Sequence, residues 1–201
     1  SQKTGIYSMS TIELLVSGLI PGPIAANGRR FLVYDVGGKR ILKYDIREGN
    51  LMSQPTVFRD MVPPLTSMSC FEDGVVVSYN RASFGGTVFY YAWPTDHSIS
   101  LAPGSNIRRV VTSGQQDILV LDQASRIRKI RKISKAPNIV EWVPAGEWTP
   151  ALGEATYIDD MAVSDKYLYL LDTMTNVYKF TREGGYVGIW REGKGFIPQL
   201  P

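Results

Sequence analysis

The chain has 201 residues, 44% of them hydrophobic, and its 22 basic and 19 acidic side chains leave a net charge of +3. That composition supplies apolar matter for a core and excludes the strongly basic character that drives non-specific nucleic-acid binding. The single cysteine, Cys70, excludes an intramolecular disulfide, and the single histidine, His97, excludes a His-pair metal site.

In chain order, Gly5–Met9 and Thr11–Ser17 read as two strands or one bent strand, with no partner unit ahead of them. Four segments then share one pattern, an apolar β-rich run closed by Asp or Asn: Phe31–Asp35, Val75–Asn80, Ile118–Asp122 and Leu168–Asp172. The closing residues recur at spacings of 45, 42 and 50, the period of a propeller blade. A short strand precedes each run, at Pro23–Ala26, Leu65–Phe71, Ile107–Thr112 and Tyr157–Val163. A third follows a turn, at Arg40–Asp45, Thr87–Trp93, Arg126–Ile130 and Asn176–Thr181. A fourth, more polar strand is predicted at Thr56–Arg59, Ser98–Leu101, Ile139–Val143 and Tyr186–Trp190. Gly37-Gly38, Asp73-Gly74, Gly85-Gly86 and Gly184-Gly185 punctuate the turns.

The predicted fold is therefore an all-β propeller of four-stranded antiparallel blades, with four complete units and a partial N-terminal one. The chain is taken as one domain with blades at about 21–62, 63–104, 105–150 and 151–193. Residues 1–20 and 194–201 form a closing or partial blade. A second strand apolar on both faces belongs between two packed sheets. The Asp or Asn that closes it caps the next turn through its own side chain.

Two segments go beyond the generic repeat. Ile20-Pro21-Gly22-Pro23-Ile24 with Phe31–Asp35, Gly37-Gly38, Arg40-Ile41 and Lys43-Tyr44-Asp45 resembles the first blade of the gluconolactonase-like (senescence-marker-type) propellers. Tyr157–Val163, Tyr167–Asp172 and Asn176–Phe180 resemble a later blade of that family and, with Glu183-Gly184-Gly185, an NHL repeat. The first resemblance implies a hydrolase of lactones or phosphoesters with one divalent cation such as Ca²⁺ on oxygen ligands. Those ligands are a Glu before a Gly-Pro, an Asn before a Gly and an Asp in a Pro-Asp-Gly. Here Pro21 stands before Gly22-Pro23, and Asn27-Gly28 lies in the first unit. Asp159 alone matches the third motif, with Asp160 and Glu154 as further oxygen donors nearby. The NHL resemblance implies RNA binding.

Other chemistry is sparse. His97 sits in a turn-like segment, Cys70 beside Phe71 reads as a small buried hydrophobe, and Gly37-Gly38-Lys39 reads as a hairpin turn. The strongest local signal is basic: Arg126, Arg128, Lys129, Arg131, Lys132 and Lys135 fall within ten residues. Strand alternation sends Arg126, Arg128 and Lys132 to one face and Lys129, Arg131 and Lys135 to the other. That pattern predicts a solvated outer edge, where cations deter strand pairing, or a docking patch for an acidic protein or RNA phosphates. Reversing the charge of Arg128 and Arg131 is then expected to leave the fold intact. Trp142 reads as core, while Trp148, in a Pro- and Gly-rich connection over 144–153, reads as an exposed partner anchor.

The functional expectation is a non-catalytic protein-interaction scaffold with no cofactor. Its alternatives are a metal-dependent gluconolactonase-like hydrolase, using Ca²⁺ or another divalent ion, and an NHL-like RNA-binding propeller. With no leader, no apolar run of membrane length and no Asn-x-Ser/Thr site, the sequence predicts an intracellular protein without a membrane partner.

Overall fold

A computed structural model describes residues 21–28, 30–47, 50–53, 65–81, 85–93, 98–104, 106–136, 139–152 and 156–198. The chain divides into two compact units, Ser1–Leu65 and Thr66–Pro201. All regular structure among the described residues is β.

The first unit holds one meander: β1 (Pro21–Asn27), β2 (Arg30–Asp35), β3 (Arg40–Arg47) and β4 (Asn50–Ser53), hydrogen-bonded in that order. Its second strand is apolar on both faces, and Leu32, Val33 and Tyr34 are all buried. Val33, Leu42 and Tyr44 cluster with Phe31 packed against them. The β2–β3 turn closes with Asp35 opposite Arg40, and Arg40 Nε donates to the buried Asp35 carboxylate at 2.9 Å. The fourth strand comes earlier than predicted, at Asn50–Ser53; the expected Thr56–Arg59 lies outside the described residues, as do residues 1–20.

The second unit repeats the meander three times. The sheets are β5 (Leu65–Cys70), β6 (Gly74–Arg81), β7 (Gly85–Ala92) and β8 (Ser98–Gly104); then β9 (Ile107–Ser113), β10 (Asp117–Asp122), β11 (Ile127–Ala136) and β12 (Ile139–Trp148); then β13 (Ile158–Val163), β14 (Tyr167–Asp172), β15 (Val177–Thr181), β16 (Tyr186–Arg191) and β17 (Gly195–Ile197). Strands within each sheet lie in sequence order, antiparallel throughout. The last sheet gains a fifth strand, where Phe196 faces Trp190.

Why these sheets stack is visible in β10. All six of its residues are buried, because alternate side chains feed two different cores. Ile118 and Val120 join Phe71, Val76, Val88, Tyr90, Val110 and Ile130 in a cluster spanning the β5–β8 and β9–β12 sheets. Leu119 and Leu121 join Ile127, Ile158, Met161, Leu168, Leu170 and Phe180 in a cluster spanning the β9–β12 and β13–β17 sheets. The continuous apolar run read from the sequence is thus the middle of three layers. Four antiparallel meanders among the described residues are consistent with propeller blades.

Side-chain hydrogen bonds tie successive sheets together. Asn80 Nδ2 donates to the Ile107 carbonyl at 2.9 Å, and the Ile107 N–H donates to Asn80 Oδ1 at 2.7 Å. Ser67 Oγ accepts the Val110 N–H at 3.1 Å, and Ser125 Oγ accepts the Ile158 N–H at 2.9 Å. Asn80 therefore departs from the equivalence the sequence gives it with Asp122 and Asp172. Those two acids cap their own turns, while Asn80 reaches the next sheet.

The two capped turns share one geometry. Asp122 Oδ1 accepts the N–H groups of Ala124 and Arg126 at 2.9 and 3.0 Å. Asp172 Oδ1 accepts those of Met174 and Asn176 at 2.9 and 2.8 Å. In each, the third residue after the acid adopts a left-handed backbone: Ser125 at φ 60° and Thr175 at φ 66°. A β-branched residue in that region costs about 1–3 kcal/mol. Ser125 is buried and holds Ile158, whereas Thr175 is exposed. Thr175→Gly is expected to raise the unfolding free energy by about 1 kcal/mol, since glycine's own entropic cost offsets part of the relief. Ser125→Gly is expected to lower it by about 1–3 kcal/mol by stranding the Ile158 N–H. Urea unfolding of the pair checks the opposite signs.

Candidate interaction surface

The basic run occupies β11, which pairs on one side with β10 and on the other with β12. It is an interior strand of its sheet, so the predicted solvated edge is corrected: the edge is β12. Alternation proceeds as expected, with Ile130 in one core and Ile127 in the other. The cations of the run reach carboxylates, although Arg126, Arg131 and Lys135 also remain open to solvent.

Each has a partner. Arg126 Nε lies 3.0 Å and Arg128 Nη2 3.3 Å from Asp122 Oδ2, whose carboxylate is 1% exposed; both arginines also approach Glu147. Lys129 Nζ and Arg131 Nε pair with Asp117 at 3.1 and 2.7 Å. Lys132 pairs with Asp73, over the rings of Tyr90 and Trp142 at 5.5 and 5.9 Å. Lys135 pairs with Glu141. A carboxylate at Arg128 or Arg131 would face the buried Asp122 or Asp117, so charge reversal there is expected to destabilise the fold as well.

Two of these acids carry a pH dependence. Burial raises the Asp117 pKa, but hydrogen bonds from Arg131 and Lys129 outweigh it and leave the group below its usual range. Burial likewise raises Asp172, and hydrogen bonds from Asn176, Tyr178 and the Met174 amide more than reverse it. Both pKa values are depressed on folding, so both groups stabilise the fold above the unfolded carboxylate value near pH 4 and lose that contribution as pH falls through the lowered folded values. The midpoint temperature is expected to be flat in these groups from pH 7 to about 5 and to fall below about pH 4. In a thermal-melt series, Asp117→Asn is expected to flatten that acid limb.

Asp159, the one position matching the metal-ligand motif, is the second residue of β13. Its side chain is 61% exposed, and Arg108 Nη1 lies 3.0 Å from its Oδ1, also donating to the Ile158 carbonyl. Asp160 pairs with Arg109 at 2.9 Å and accepts the Met161 N–H. Guanidinium groups thus occupy the positions at which a cation would meet these carboxylates. No group of three or more His, Cys, Asp or Glu side chains with metal-holding geometry occurs among the described residues. Among the described residues, the Asp159 and Asp160 carboxylates are met by arginines rather than gathered around a cation. Glu154 and His97 lie outside the described residues. Cys70 is a buried thiol outside any disulfide, as the sequence reading expects.

Trp148 is corrected from an exposed loop anchor to a strand residue. The connection predicted over 144–153 is strand as far as Trp148, which stands opposite Ile127. Its ring packs against the second core cluster and covers the Gly184 turn. A Cβ at Gly184 would meet the indole at 2.9 Å, and its φ of 93° also favours glycine.

Trp142 packs against the core, as the sequence reading has it; the hollow beside it was not foreseen. Pro144-Ala145-Gly146 forms a β-bulge: Lys129 faces Gly146 while Ile130 faces Pro144. Trp142, Pro144, Gly146, Ile130, Arg128 and Leu101 of β8 border a cavity of about 400 Å³. Trp142 stacks near Phe71 and Tyr90, with centroids 5.8 and 4.9 Å away. Its Nε1–H is enclosed and meets no acceptor. A Pro-x-Gly inside a strand of alternating character was the available signal.

No helix among the described residues is long and apolar enough to cross a membrane. No protein-family model matches the chain, and no curated protein matches it. Its fold is similar to that in the crystal structure of human WBSCR16, with a TM-score of 0.54 and 14% identity over 83% of this chain and 49% of that one. The chain spans about half the length of that protein, and at this identity the likeness concerns the fold alone.

Proposed function

We propose that the chain is a non-catalytic interaction module of the propeller type, binding another protein on its sheet edges and turns. The observation that carries this reading is how the polar side chains are used. Asp35, Asp122 and Asp172 cap turns or hold arginine, and Asp159 and Asp160 are engaged by Arg108 and Arg109. A nucleophile, general base or metal ligand needs a group held ready for substrate; these are committed to the fold.

The rival hydrolase makes a sharp contrast. A cation that binds only the native state raises the melting temperature, so the module reading expects unchanged melts in Ca²⁺, Mg²⁺, Mn²⁺ or Zn²⁺ and no lactone hydrolysis above the buffer rate. The positive test is reconstitution: a protein that co-purifies from native cells, prepared separately, is expected to form a complex of defined stoichiometry at physiological salt. Metal-dependent turnover of a lactone would overturn the reading.

A further inference from the structure

We infer that the outer face of the β13–β17 sheet docks a partner protein through an apolar segment that carries a carboxylate, taken by Lys179. The inference rests on the interaction-module reading and adds a sheet face to the edges and turns named there.

The face is recognised by its counterpart in the preceding sheet. Counting back and forward from the capping acids Asp122 and Asp172, Tyr169 holds the place of Leu119, Leu171 that of Leu121, and Val177 that of Ile127. Trp148 and Trp190 each stand two residues beyond a glycine, Gly146 or Gly188, that faces the lysine of the third strand beside a bulge. In the β9–β12 sheet these positions receive the next sheet. Leu119, Leu121 and Ile127 are at most 1% exposed there, and Trp148 packs into the same cluster. In the β13–β17 sheet Tyr169, Leu171 and Val177 are only half-buried, and Trp190 is 48% exposed. Tyr169, Leu171 and Val177 border a hollow of about 190 Å³. The pattern that is covered in one sheet is thus left apolar and open in the next, as a partner-binding face is.

Charge selects the occupant. Lys129 pairs with Asp117 of its own sheet at 3.1 Å. Tyr167 stands in the place of Asp117, so the equivalent Lys179 meets rings instead: its Nζ lies 3.7 Å from the Tyr167 ring centre and 5.3 Å from that of Phe196. An ammonium has three N–H donors, and a ring face leaves room for a carboxylate on the others. Asp160, the carboxylate bordering the hollow, is already held by Arg109 at 2.9 Å. Lys179 is therefore an unbalanced cation in an apolar surround. A partner's carboxylate gains a charge-assisted bond there, partly out of water, while a partner's lysine or arginine is repelled.

Short extended peptides probe the face directly. The chain has four tryptophans, and their ¹⁵N indole signals can be followed separately, with Trp190 assigned from Trp190→Phe. Titration with acetyl-Ser-Leu-Glu-Leu-Ser-amide is expected to shift the Trp190 indole saturably, and the same peptide with Gln for Glu to bind about tenfold more weakly. Lys179→Gln is expected to bring the two peptides to equal affinity. Equal affinity for the unaltered chain overturns the proposal, as does a Trp190 signal that stays fixed up to the peptides' solubility. A Trp190 shift that grows with protein concentration alone also overturns it, by assigning the face to a second copy of the chain. None of these results bears on the reconstituted complex, so failure of this face is distinguishable from failure of the module reading.

Discussion

Asp122→Ala is expected to lower the unfolding free energy by about 3–5 kcal/mol, the range for removing one partner from a buried ionic network. The carboxylate is 1% exposed and accepts four hydrogen bonds, from the Ala124 and Arg126 amides and from the Arg126 and Arg128 guanidiniums. Alanine would strand two turn amides and take from Arg126 and Arg128 the buried carboxylate they share. Asp122→Asn keeps the turn cap and loses the charge, so it is expected to cost less. Urea unfolding resolves the order: alanine worst, asparagine intermediate. Equal loss in both variants would show that charge, rather than the cap, carries the stabilisation. A loss below 1 kcal/mol in Asp122→Ala would remove this network from the stability account.

Phe71→Ala is expected to cost a similar amount, about 3–5 kcal/mol, through lost burial and the cavity left behind. Phe71 is fully buried between two sheets, edge-on to Tyr90 at 6.3 Å and tilted against Trp142 at 5.8 Å. Because Trp142 loses its backing, the substitution is also expected to redshift tryptophan emission at temperatures where the fold survives. Phe71→Leu keeps most of the volume and is expected to lose less than half as much. Thermal unfolding followed by fluorescence checks both quantities at once.

The repeats were legible because one physical demand recurs. A strand buried on both faces must be apolar at every position, as Ile118–Leu121 is, and a tight turn must follow; Leu168–Leu171 is as apolar but alternates between buried and half-buried positions. The capping role of Asp122 and Asp172 was legible for the same reason, since it depends on residues two and four positions away. The basic strand misled because its acids are brought to it by strand pairing and packing, even where they are near in sequence, as Asp122 and Glu141 are. Asp73 lies 59 residues from Lys132, and Glu147 reaches Arg128 only through the pairing of β11 with β12. Charge density along a strand does not say whether its cations meet water or acids. Trp148 misled in the opposite sense, as Pro144 and Gly146 resembled loop punctuation but formed a bulge inside a strand that continues past them.

The serine and asparagine ties between sheets make the Ile107 and Ile158 amides unusual reporters. An ordinary strand amide is protected from hydrogen exchange by its own sheet. The Ile158 amide is held by a hydroxyl from the preceding sheet, 33 residues back, and the Ile107 amide by a carboxamide 27 residues back. Their exchange rates therefore register the separation of one layer from the next, even while each meander stays intact. Two amides, read side by side, would show from which end the stack comes apart.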